Sequence, residues 1–362
     1  MTDTRHSAAQ PERPFRSLLL TLLTLAGLVA ASLPGTARAD DGAVNLYSYR
    51  QAFLMKPLLD AFTAETGIAV NVVHAQKGLV EKLKAEGMNS PADVILVSDV
   101  SRLKELETAN LIQPVASSVL EANIPASYRH PDNLWFGLTQ RARVIYASKD
   151  RVKPGEIATY EDLAAPRFKG RVCTRSGKHD YNITLLASII AAAGEAAATD
   201  WARGLKANLA RRPQGNDRAQ VKAIYHGECD VSLGNTYYMG LMMTNEKNPE
   251  QKQWAASVNI IFPNQPGLGD GRGAHVNISG AAVTKSAKNV DGARRLLEFL
   301  SGDGAQKIYA EQNFEYPVKP GTKMHPLVAS WGTFQADTHS LSAIADNRAL
   351  ASRIMDRVAF DQ

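Results

Sequence analysis

Apolar and polar residues alternate over residues 44–51 as they do in a strand, and the run ends in a polar turn. Residues 53–66 then place Phe53, Leu54, Leu58, Ala61 and Phe62 near helical spacing, and Gly67 stops the pattern. The same reading gives a strand at 68–73, a helix at 78–86, a buried strand at 92–97 and a helix at 101–110. Strand and helix in strict alternation predict an α/β fold, with a mainly parallel sheet and helical crossovers. Residues 135–146 form an extended run without helical periodicity, suited to a strand that passes from one lobe to the next. A loop-rich connector at 160–170 leads to a strand at 171–175 and a helix from Tyr181, with Asp180 as its expected cap. Helices at 196–209 and 218–226 flank a basic turn at 211–217. A Gly- and Pro-rich loop at 263–273 precedes a returning strand at 276–284, helices at 291–300 and 304–312, and a tail of short helices and irregular structure. The chain has no internal repeat and no low-complexity segment.

The 362 residues suffice for two domains. Hydrophobic content of 44% and charged content of 21% are those of an ordinary globular protein. Net charge is +5, of which residues 1–39 supply +2, and the remaining +3 is too little to argue for nucleic acid. Residues 1–39 read as a secretory signal: Arg13 and Arg16 flank an apolar run from Leu18 to Ala31, and Ala37-Arg38-Ala39 fits the small-x-small cleavage pattern. No later stretch reaches the roughly 20 apolar residues of a membrane span. The expectation is an exported, soluble mature chain beginning near Asp40. Export permits a bridge between Cys173 and Cys229, each eight residues before a tyrosine of interest, but spacing leaves their pairing open.

The segment from Cys229 to Gly240 comes closest to declaring a chemistry. Val231 and Leu233 alternate as in a short strand, Gly234 and Asn235 break it, and Thr236 is placed to cap a helix with Tyr237 and Tyr238 in its first turn. Tyr181 takes the same kind of place, in the first turn of a helix after a strand. That edge is where ligands bind in open α/β sheets, and the helix dipole there favours an anionic side chain. Paired tyrosines also serve as plain packing residues. Phenols near pKa 10 are poor ligands for most cations, but a trivalent cation deprotonates its own ligands. Tyr181, Tyr237 and Tyr238 would balance the charge of Fe3+ and leave room for a small bidentate anion and water. Arg50 and Arg141 are placed to face a cleft and suit such an anion, and Ser176 and Gly177 offer further donors. Signatures of a zincin, a nucleophile elbow and a Walker loop are absent, so a secreted hydrolase is disfavoured and no enzyme activity is expected. Gly267 to Gly273 reads as a turn, and His275 as a structural residue or a support to the ligands.

At these residues the chain resembles the periplasmic ferric-iron-binding proteins of bacterial ABC importers, a transferrin-like group. The likeness is carried by Leu46-Tyr-Ser-Tyr-Arg-Gln51, Ser90-Pro-Ala-Asp-Val94, residues 135–144, Ser176-Gly-Lys-His-Asp-Tyr-Asn182, Gly234-Asn-Thr-Tyr-Tyr238 and Asn277-Ile-Ser-Gly280. The resemblance implies two α/β lobes hinged about a cleft, 40–139 with 277–315 and 140–276 with 316–362. It implies iron ligation by Tyr181, Tyr237 and Tyr238, with carbonate or bicarbonate as synergistic anion at Arg141 and Arg50. Many members place a histidine and a tyrosine in the first loop, where this chain has Gln51 and Ala52. The pattern therefore fits the subgroup with three tyrosines plus an anion, supported by Tyr49, Gln51, Asp99, Asn235 and His275. Expected partners are an ABC permease and its ATPase, and the protein is expected to be a periplasmic monomer that does not itself span the membrane. The alternative within the fold is a carrier of an organic or phosphonate-like anion.

Overall fold

The computed structural model describes residues 42–362, so the expected signal segment at 1–39 lies outside the described residues. The first part of the chain runs β1 (Val44–Ser48), α1 (Ala52–Thr66), β2 (Val70–His74), α2 (Leu79–Glu86), β3 (Val94–Val97), α3 (Val100–Thr108), β4 (Ile112–Gln113), α4 (Ser118–Asn123) and β5 (Phe136–Ser148). The middle comprises β6 (Val172–Cys173), α5 (Asp180–Ala207), α6 (Asp217–Tyr225), β7 (Val231–Asn235), α7 (Thr236–Met243), α8 (Glu250–Ala256), β8 (Val258–Ile261) and β9 (Val276–Thr284). The chain ends with α9 (Val290–Ser301), α10 (Asp303–Asn313), β10 (Tyr316–Pro317), α11 (Pro326–Ala329), α12 (Leu341–Asp346) and α13 (Arg348–Arg357).

Alternation in the sequence becomes burial on two faces. In β1, Val44 and Leu46 pack with Leu58 and Phe62 of α1, while Tyr47 joins Leu79, Val80 and Leu83 of α2 on the other face. A sheet covered by helices on both sides follows. β1 pairs in parallel with β2 and β3, and β9 returns antiparallel to β3. β5 then changes partners: Phe136 to Ala142 pair with β9, and Arg143 to Ala147 pair with β7. One strand thus belongs to both sheets, and the residues at its switch are Arg141 to Arg143. Beyond it, Ile145, Val231 and Leu233 pack on Leu185, Leu186 and Ile189 of α5. On the opposite face, Val144 and Tyr146 meet Val221 and Ile224 of α6 and Met239 and Met242 of α7. Burying each such side chain contributes roughly 1.5–3 kcal/mol.

Four local expectations are corrected. Gly234 and Asn235 do not break β7 but complete it. A Cβ at Gly234 would lie 1.9 Å from the Tyr146 ring, so the glycine is there for close approach. The cap of α5 is His179, whose Nδ1 accepts from the Tyr181 amide, and not Asp180. At α7, Asn235 takes the cap position without a side-chain bond, and Thr236 Oγ1 has no partner. The two helices expected at 181–191 and 196–209 form one element, interrupted at Gly194, whose φ of 81° and ψ of 173° are non-helical. Although α5 is long and apolar enough to cross a membrane by composition alone, 61% of its most apolar stretch is buried within the fold. Cys173 and Cys229 are bridged, with Cα atoms 5.8 Å apart.

Candidate metal centre

α5 and α7 both begin at the end of the second sheet, and their first turns bring the three tyrosines together. The hydroxyls of Tyr181 and Tyr237 lie 3.3 Å apart. The rings of Tyr237 and Tyr238 stack at 4.3 Å. Both are buried, and burial, followed by the proximity of Tyr181, pushes each phenol up, that of Tyr238 to about 12. Without a cation these phenols are held neutral. A trivalent ion among them would oppose that effect, because its charge favours the phenolates.

Cations ring this cluster. The guanidiniums of Arg141, Arg143 and Arg175 sit 5.3, 5.8 and 5.1 Å from the centre of the Tyr181 ring. Arg218 lies 5.6 Å from that of Tyr238. Arg143 and Arg175 share the buried carboxylate of Asp217 at 2.7 and 3.0 Å, and that carboxylate also accepts from the Asn235 amide at 2.9 Å. Burial alone would raise the Asp217 pKa, but the two guanidiniums hold it below the usual carboxylate range. Arg143 further donates to Asn182 Oδ1 at 2.9 Å and to Asn235 Oδ1 at 3.2 Å. Asp217 therefore fixes the residue after Tyr181 and the residue two before Tyr237 in one network. None of Arg143, Arg175, Asn182 or Asp217 was anticipated. Arg143 was legible in principle, since positions two apart on a strand share a face with Arg141.

The other anticipated residues divide sharply. Arg141 donates one Nη to the Ser98 carbonyl, and its other Nη has no partner. With Arg143, Tyr181, Asn235, His275 and Asn277 it lines a cavity of about 10 Å3, room for roughly one water. Asn235 Nδ2 and His275 Nδ1 are likewise unpartnered. Burial, then the nearby Arg141 and Arg143, lowers the His275 pKa to about 3, so the ring is neutral.

Arg50 is different: its two Nη groups are taken by Glu315 at 2.7 Å each and by Ser279. An anion role for it conflicts with this arrangement, because a buried carboxylate already occupies the fork. Ser176 Oγ and the Gly177 amide do bind a carboxylate, but it is Asp361 near the end of the chain, at 2.5 and 2.7 Å. Tyr49 Oη accepts from the Val80 amide at 2.8 Å and so serves the first sheet's helices. Gln51 is the N-cap of α1 and makes no side-chain cap bond. Asp99 is buried, caps α3 and accepts from Ser101, Thr184 and Asn277. Among the described residues no group of three or more His, Cys, Asp or Glu is arranged to hold a metal.

Two α/β sheets sharing the long strand β5, with a polar cluster at its switch, define a two-lobe binding protein. The chain belongs to the bacterial extracellular solute-binding protein family, which it matches over residues 47–307. It is 47% identical to iron uptake protein A1 of Synechocystis over 331 residues, 91% of this chain and 89% of that one. The apo ferric ion-binding protein A of Pasteurella haemolytica superposes with a TM-score of 0.84 at 50% identity, covering 89% of this chain and 99% of that one. A Trichodesmium protein solved with iron and citrate superposes with a TM-score of 0.80 at 44% identity, covering 88% and 100%.

Proposed function

We propose that this chain is a periplasmic ferric-iron-binding protein in which Tyr181, Tyr237 and Tyr238 hold Fe3+ as phenolates. The observation that carries the reading is the meeting of three phenols, two of them with hydroxyls 3.3 Å apart, inside a ring of guanidiniums. The iron-binding names of the relatives support it over an organic-anion carrier. The lobes are taken as 40–139 with 277–315 and 140–276 with 316–362, joined where β5 changes sheets. The loaded protein delivers iron to an ABC permease and its ATPase, as a monomer.

Charge accounts for an added anion. Three phenolates neutralise Fe3+, and Asp217 neutralises only one of Arg143 and Arg175. Arg141 adds a further cation, one Nη of which has no hydrogen-bond partner. The guanidiniums around the tyrosines favour an added anion, and carbonate, bidentate to a guanidinium, suits their geometry. The Arg141 cavity, with room for roughly one water, is smaller than carbonate, so binding the anion requires Arg141 to turn or the cavity to open toward the metal. Protons compete with iron for the phenolates, so affinity falls as pH falls.

A visible titration with ferric citrate, with and without bicarbonate, tests this. A phenolate-to-iron charge-transfer band saturating at one equivalent and strengthened by bicarbonate is the expected result. No band overturns the iron reading, and a band indifferent to bicarbonate overturns the carbonate.

A further inference from the structure

Asp180 stands directly before Tyr181 and is held by two arginines from distant parts of the chain. Arg102 of α3 donates Nε to Oδ2 at 3.1 Å and Nη2 to Oδ1 at 3.2 Å. Arg348, the first residue of α13, donates Nη2 to Oδ1 at 2.7 Å and Nη1 to Ser101 Oγ at 2.7 Å. One turn along α5, Thr184 donates to Asp99 at 2.8 Å. α3 packs on the first sheet and α5 on the second. These contacts therefore tie together the helices of two different sheets, beside a tyrosine of the metal centre.

The arrangement is more than helix capping. His179 caps α5, and the hydrogen bonds of the Asp180 carboxylate go to α3 and α13. Side-chain exposures of 17, 20 and 18% for Arg102, Asp180 and Arg348 keep the ion pairs from full hydration yet leave them within reach of salt. Tyr237 and Tyr238 are each 3% exposed, so a metal among them leaves only when the elements covering it separate. Any separation of α3 from α5 must first break the Asp180 clamp.

We infer that Asp180, clamped by Arg102 and Arg348, is a positioning residue that ties the Tyr181 helix to the first sheet and slows the departure of iron. The inference rests on the tyrosine assignment above. The mature protein is loaded with ferric citrate and bicarbonate, mixed with excess chelator, and followed by decay of the charge-transfer band. The double variant Arg102→Gln with Arg348→Gln keeps the band at the wild-type wavelength and releases iron about tenfold faster, the scale of losing charge-assisted hydrogen bonds. Release from the wild type accelerates with added salt, and release from the double variant does not. Arg102→Lys, which keeps the charge but not the two-point contact with Asp180, releases at a rate between those of wild type and the double variant. Should the double variant fail to fold, Arg102→Gln alone takes its place, with a smaller acceleration and a weakened salt dependence expected. Wild-type release rates and wild-type salt dependence in a folded variant overturn the clamp. A wild-type protein with no band instead sinks the tyrosine assignment, and the clamp with it.

Discussion

The two sides of the centre are built from similar residues and treat them in opposite ways. On the first sheet's side, Arg50, Tyr49 and Asp99 are tied to Glu315, the Val80 amide and a Ser101–Thr184–Asn277 cage. Where β5 changes sheets, Arg141 Nη1, Asn235 Nδ2 and His275 Nδ1 are buried without partners around Tyr181. Buried polar atoms cost free energy unless paired, so a cluster of unpaired ones marks a place kept for something else. The side chains are alike in kind: the Arg50 fork, Tyr49 and Asp99 are paired, although Arg50 Nε is not, whereas around Tyr181 three residues lining one small cavity each keep an unpaired polar atom. On the proposed reading, binding belongs to the residues around Tyr181 and stability to those tied down on the first sheet.

The largest test of that division is Tyr238→Phe. Loss of one of three anionic ligands should lower iron affinity by about four orders of magnitude, roughly 5.5 kcal/mol, with melting little changed. Competition titration and calorimetry together measure it. Arg50→Gln should do the reverse: it strands Glu315 as an unpaired buried charge and costs about 3–5 kcal/mol of stability, while folded molecules keep wild-type affinity. A fall in affinity with stability unchanged would return Arg50 to the anion. Replacing Cys173 and Cys229 together with alanine removes a bridge across 56 residues of sequence; the cost should be about 4 kcal/mol in denaturant melts, with the charge-transfer band retained.

Much of the fold was legible. Alternation in residues 44–51 and the apolar run at 92–97 both became central strands, because each side chain there meets a helix face that the same short range of sequence supplies. The placing of the tyrosines at two helix starts was legible for a similar reason, and those first turns do bring the three phenols together. What escaped depends on contacts far along the chain. Arg50 meets Glu315 across 265 residues, and Ser176 meets Asp361 across 185. Nothing local to Arg50 or Ser176 announces that its anion is internal. Gly234 misled because a glycine that ends a strand and one that admits the Tyr146 ring look alike in sequence.

Two smaller effects sharpen the comparison. His275 is neutral when buried and its folded pKa, about 3, lies below that of an unfolded histidine. Between those values the unfolded chain binds the extra proton, so stability of the iron-free protein falls as pH drops from about 6.5 toward 3, by about 1.4 kcal/mol per pH unit from this residue. His275→Gln should remove that part of the slope in pH-dependent melts. Ser176→Ala loses one hydrogen bond to Asp361 and should cost about 1 kcal/mol, leaving the bicarbonate dependence of the band unaltered. An altered bicarbonate dependence would move the anion site to the loop before α5.

The central claim is that three phenols ionise when the metal binds. Ultraviolet difference spectroscopy during titration with Ga3+, which lacks a charge-transfer band, counts tyrosinates formed per metal. Three per metal in the wild type and two in Tyr238→Phe at saturating metal is the predicted result. One or none in the wild type would contradict it.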